Sequence, residues 1–149
     1  MMKNKSWILL FTALLLVAVL GTCHAAHRVD RRFVDSDGYT GYYVDVNSIS
    51  YDGGNELSAD IYIVKARYNT MFMYRTNFNR ADQSYQYMAT KVYKYDTREL
   101  TGQSDVPSLR VGYSRTRVGN NPIMEKVLDY AIHWKNTHLY LTKEGELLE

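Results

Sequence analysis

The residues with the clearest chemical potential are Tyr85, Tyr87, Lys91, Tyr93 and Tyr95. Alternate positions of a strand point to one side, so this spacing predicts an aromatic platform interleaved with one cation. Tyrosine joins a large apolar ring to a polar tip, and such surfaces stack flat groups or anchor protein partners. The plainer reading is that Tyr has high strand propensity and covers the sheet. Asp45 and Asp60 come next. Both fall in strand-like runs, out of phase with apolar neighbours, and could serve as an acid–base pair. Ion pairing with Lys65 or Arg67 is the simpler expectation. Of four histidines, His24 and His27 lie near the N-terminus, and His133 and His138 stand five apart. That is off the four-residue spacing which sets two ligands on one helical face, so no metal site is expected. Asp35-Ser36-Asp37-Gly38 echoes the end of a calcium loop but lacks the other acidic ligands, and reads as a turn. No Gly-x-Ser-x-Gly elbow, Walker loop or dinucleotide fingerprint occurs. No cofactor is expected, and the chain reads as non-enzymatic.

The elements that would position these groups are mostly strands. Arg32-Phe33-Val34 is a short strand before the Asp35–Gly38 turn. Tyr42 to Val46 alternates, and Asn47-Ser48-Ile49 extends it. Asp52-Gly53-Gly54-Asn55 is a strong hairpin signal, since glycine reaches positive φ at low cost. Leu57 to Tyr68 is a long strand, apolar on both faces and therefore central. Met71 to Phe78 and Ser84 to Tyr95 follow, separated by polar turns. Loops this short imply antiparallel neighbours. From Asp96 the pattern weakens, and Arg110 to Val118 reads as loop or edge strand. Asn121 and Pro122 suit a helix start. Ile123, Val127, Ala131 and Trp134, widened by Met124 and Leu128, form an apolar stripe. A helix is predicted from Pro122 to about Lys135. Leu139-Tyr140-Leu141 could add a strand before a mobile tail. The expected fold class is α+β: a curved antiparallel β-sheet of about five or six strands, with a C-terminal helix packed on one face.

The start of the chain has a different character. Lys3 and Lys5 precede an apolar run from Trp7 to Leu20, the pattern of an export signal and short for a membrane span. Cys23-His24-Ala25 meets the small-x-small rule, placing cleavage after Ala25 and a single domain over residues 26–149. A second reading takes Leu20-Gly21-Thr22-Cys23 as a lipobox, with lipidation at Cys23. Any membrane association would then come through the leader or that lipid. The single cysteine excludes an intrachain disulfide framework. The 18 basic and 16 acidic residues give a net charge of +2. Without Lys3 and Lys5 the balance is 16 against 16. A neutral exported domain is a poor nucleic-acid binder.

The order of features resembles the bacterial surface-adhesin protein E-like family of small exported proteins. The shared outline is a short first strand, the segment Tyr43-Val44-Asp45-Val46-Asn47-Ser48-Ile49, a hairpin, the Tyr95-Asp96 turn and a helix begun at Pro122. It covers about Arg31 to Trp134. The chain departs from relatives that pair cysteines near the C-terminal helix. The resemblance implies a curved antiparallel sheet with a packed helix and a cell-envelope location in the periplasm, on the outer surface or secreted. It also implies adhesion to host matrix or envelope proteins. The leading expectation is thus a non-enzymatic exported binding protein, adhesin-like. A periplasmic small-ligand carrier or inhibitor would instead need a deep apolar pocket between Trp134 and the sheet. A hydrolase would need the Asp45–Asp60 pair.

Overall fold

Short turns join alternating strands into one antiparallel meander, seen in a computed structural model that describes residues 28–114 and 121–146. The strands are β1 (Arg31–Asp37), β2 (Thr40–Asp45), β3 (Ser50–Tyr51), β4 (Glu56–Lys65), β5 (Thr70–Asn79), β6 (Ser84–Lys94), β7 (Leu100–Ser104) and β8 (Val111–Gly112). One helix, α1 (Pro122–Glu146), follows. The main order is β1-β2-β4-β5-β6-β7, with β3 on the β4 edge and β8 on the β6 edge. The α+β architecture expected from the sequence is present, with two extra two-residue strands.

Local chemistry explains the boundaries. β1 runs through Asp35-Ser36-Asp37, and the turn falls at Gly38-Tyr39, where Gly38 has φ +56°. The calcium-like segment is therefore strand. β2 stops at Asp45 rather than continuing through Ile49, because Asp45 caps a 3-10 turn at Val46–Ser48. Its Oδ1 accepts the N–H groups of Asp30 at 2.9 Å and Asn47 at 3.2 Å. The Ser48 hydroxyl donates to the Asp45 carbonyl at 2.7 Å. β4 likewise ends at Lys65, followed by a 3-10 turn that Asn69 closes at φ +50°. The polar edge strand β7 was not foreseen.

α1 begins as expected. The Ile123 N–H donates to Asn121 Oδ1 at 3.3 Å, and Pro122 occupies the first turn. Met124, Val127, Leu128 and Ala131 are buried against Val44, Leu57, Ala59, Ile61 and Phe78, with Ile123 and Trp134 packed at the margin. The helix continues through Leu139-Tyr140-Leu141 to Glu146, where a strand and a mobile tail were expected. Leu139, Leu141, Lys143 and Glu144 are good helix formers, and no proline interrupts them. Lys126 Nζ bonds Asp35 Oδ2, and the Arg32 guanidinium lies 5.1 Å from the Trp134 ring centre. These contacts fix α1 over β1 and β2.

Three β-bulges decide which side chains share a face; one is in β7, where Val92 pairs with Gly102 but Tyr93 with Leu100, so Thr101 is the extra residue. In β1, Phe33 pairs with Tyr43 but Asp35 pairs with Tyr42, so Val34 is the extra residue. In β6, Ala89 pairs with Arg75 but Tyr87 pairs with Thr76, so Met88 is the extra residue. One inserted residue inverts the facing of everything beyond it.

Candidate functional site

The bulge at Met88 divides the anticipated tyrosine platform. Tyr85 and Tyr87 sit on the helix side: Tyr85 packs on Phe78, and Tyr87 stacks on Tyr74 at 4.1 Å between ring centres. Burial raises the Tyr87 phenol above its ordinary pKa. Lys91, Tyr93 and Tyr95 belong to the opposite, open face. The five residues do not share one surface, because a strict period of two fails at a bulge. The leader residues Cys23 and Ala25 lie outside the described residues.

The open face is built from row partners. Phe33, Tyr43, Tyr62, Met73, Lys91 and Gln103 pair in succession across six strands. The neighbouring row runs Gly41, Val64, Met71, Tyr93 and Leu100. At its centre, Tyr62, Val64, Met71 and Met73 are only 7%, 8%, 3% and 7% exposed. That is core-like burial, yet among the described residues no helix or further strand packs over them. Side chains close the face instead. Tyr43, Tyr93 and Tyr95 pack at its margins. The Tyr43 ring lies along Gly41, where a Cβ would stand 3.0 Å from Cε2.

Two arginines complete this cover. The Arg31 guanidinium sits 4.9 Å from the centre of the Tyr62 ring, and that of Arg98 sits 4.6 Å from the Tyr95 ring. Each such stack contributes about 0.5–1 kcal/mol at an exposed site. Both also reach one sulfur: Nη1 of Arg31 lies 3.0 Å, and Nη1 of Arg98 3.4 Å, from Met71 Sδ. Thioether sulfur is a weak acceptor. Among the described residues, neither guanidinium nor Lys91 has a carboxylate in ion-pair contact. Burial pushes the Tyr62 phenol up to about 12, although Arg31 pulls it the other way. Between the arginines lies a small hollow of about 130 Å³, bordered by Arg31, Tyr43, Val64, Tyr95 and Arg98.

Asp45 and Asp60 are both buried. Asp45 Oδ1 accepts the Asn47 N–H of its 3-10 turn and the Asp30 N–H from the segment before β1. Asp60 binds Arg75 across the strand pair, through Nε at 3.0 Å and Nη2 at 3.1 Å. The partner is Arg75 rather than Lys65 or Arg67, because Arg75 is Asp60's direct neighbour in register. That bond holds the Arg75 guanidinium above its ordinary pKa. The geometry thus gives each carboxylate a structural task. On the helix side, the seam beneath α1 is filled by Met124, Val127, Leu128 and Ala131, and Trp134 stacks against His138 at 3.9 Å. Among the described residues that seam holds packed side chains where a small-ligand carrier would need a deep apolar pocket.

Compared with known proteins, the chain matches no family model, no curated protein and no solved structure. Two broader clefts exist, of about 590 Å³ beside Tyr51, Glu56 and Lys135 and about 490 Å³ beside Asn47, Ser58 and Arg75. Polar groups at the larger one bond one another: Asn79 Nδ2 donates to Glu56 at 2.7 Å, and Arg80 to the Tyr51 hydroxyl at 2.8 Å. No group of histidine, cysteine and carboxylate ligands gathers among the described residues. None of their helices is long and apolar enough to cross a membrane.

Sequence reading missed Arg31, Arg98, Gly41 and Met71 as parts of one surface. One signal was available. Strand β4 is apolar on both faces, which requires cover on the side away from the helix.

Proposed function

We propose that this is a non-enzymatic, exported protein of a bacterial cell envelope that works by binding a partner protein, in the manner of a surface adhesin. The observation that carries the reading is the open face of the sheet. It holds a buried apolar cluster, Tyr62, Val64, Met71 and Met73, which among the described residues is covered by aromatic and cationic side chains rather than by a further helix or strand. Interfaces favour aromatic residues, methionine and arginine at their centres. Arg31, Lys91 and Arg98, which have no carboxylate in ion-pair contact among the described residues, favour a partner presenting an acidic segment. Export rests on the charged and apolar leader, with release after Ala25 or tethering through Cys23.

Equilibrium binding of the purified protein to a defined panel of matrix and envelope proteins tests this. At least one saturable partner is expected, with affinity falling as salt rises. Absence of any saturable partner would overturn the proposal. Intact mass of the exported product separates a chain beginning at Ala26 from one lipid-modified at Cys23, and an unprocessed product would refute export.

A further inference from the structure

We infer that the hollow between Arg31 and Arg98 is a carboxylate-binding site that receives an acidic side chain of the partner. The inference deepens the binding role just proposed and rests on it for the source of the carboxylate. The site itself stands on geometry. Two guanidinium groups from distant parts of the chain, the first residue of β1 and the turn before β7, converge on one sulfur. Arg98 is held in that turn at φ +62°, with its N–H donating to the Lys94 carbonyl at 3.0 Å.

Like charges brought together repel, and a neutral thioether compensates them poorly. An anion placed between them would remove the repulsion and accept charge-assisted hydrogen bonds from both. The walls decide which anion. Tyr43 and Tyr95 supply ring surface, and Val64 supplies an aliphatic floor. A planar carboxylate on a short aliphatic stem matches both the paired donors and the apolar lining, and a hollow of about 130 Å³ has room for such a group. The stacks on Tyr62 and Tyr95 hold the guanidinium planes in place beforehand, which lowers the ordering cost of binding.

The test is an NMR titration of the ¹⁵N-labelled full protein, following the Arg31 and Arg98 side-chain Nε–H signals. The probes are N-acetyl-glutamate N-methylamide, its neutral glutamine counterpart, and inorganic phosphate. Saturable shifts of both signals with the glutamate probe are expected, in the millimolar range, and none with the glutamine probe. Arg31→Met and Arg98→Met should each weaken binding by about tenfold or more, as loss of a charge-assisted bond requires. The double variant should abolish it. Met keeps an aliphatic stem over the ring, and an unchanged thermal melt shows that the fold survives. Equal shifts with the glutamine probe, no saturable shift with glutamate, or tighter binding of phosphate would overturn the assignment. Glutamate binding without any protein partner in the panel would keep the site and sink the partner reading. A saturable partner with no response to the glutamate probe would do the reverse.

Discussion

Replacing Met71 by Ala asks whether the open face is a second core or merely surface. Met71 is 3% exposed and packs with Tyr62, Val64 and Met73. Truncation of a buried methionine costs about 2–5 kcal/mol, the lost transfer energy plus the cavity left behind. Here one wall consists of arginine and tyrosine side chains that can relax inward, so the low end applies, about 2–3 kcal/mol. Met71→Leu keeps the volume and should cost less than about 1.5 kcal/mol. Urea unfolding followed by far-UV circular dichroism reads both. A domain of this size should lose about 1–2 M in midpoint for Met71→Ala, with little change in slope. A loss within about 0.5 kcal/mol, as for an ordinary surface change, would refute the second core. Equal losses for Ala and Leu would show that the sulfur contacts, not packing, matter.

Three further outcomes are expected. Arg75→Met leaves Asp60, whose side chain is 9% exposed, without its two-bond partner, and should destabilise by about 1–3 kcal/mol; the double variant with Asp60→Asn should recover part, measured as a double-mutant cycle. Alkaline stability should fall between pH 10 and about 12, because the unfolded Tyr62 phenol ionises near 10 while burial holds the native one up to about 12. The contribution is intact below pH 10, and Tyr62→Phe should flatten the fall in unfolding free energy; an unchanged profile would contradict the burial argument. Asn121→Ala removes the helix cap and should lower stability by about 1 kcal/mol, read from thermal melts.

Much of the fold was legible because its signals are local. The Asp52–Asn55 hairpin, the two-faced strand around Ile61 and Tyr62, and the Asn121-Pro122 helix start all follow from short-range chemistry, and each is present. The candidate site was less legible because it depends on register. Nothing in the string Tyr85 to Tyr95 marks Met88 as the extra residue, yet that residue sends Tyr85 and Tyr87 toward the helix and Tyr93 away from it. β2 was drawn too long because Asn47-Ser48-Ile49 resembles strand, whereas the Asp45 side chain diverts the backbone into a 3-10 turn. β7 is polar and pairs with β6 alone, so composition could not separate it from loop. Arg31 and Arg98 meet only because five strands, β2 to β6, lie between them in the chain and both ends fold back to one side.

The most direct measurement of the central claim compares two surfaces of the same protein. Saturation binding to the panel partner would be measured for the unmodified protein, for Arg31→Gln/Arg98→Gln on the open face, and for Asp129→Asn/His133→Gln on the exposed side of α1. Binding through the open face predicts loss of affinity by about tenfold or more in the arginine variant and unchanged affinity in the helix variant. Equal binding by all three proteins, or loss in the helix variant alone, would contradict the account.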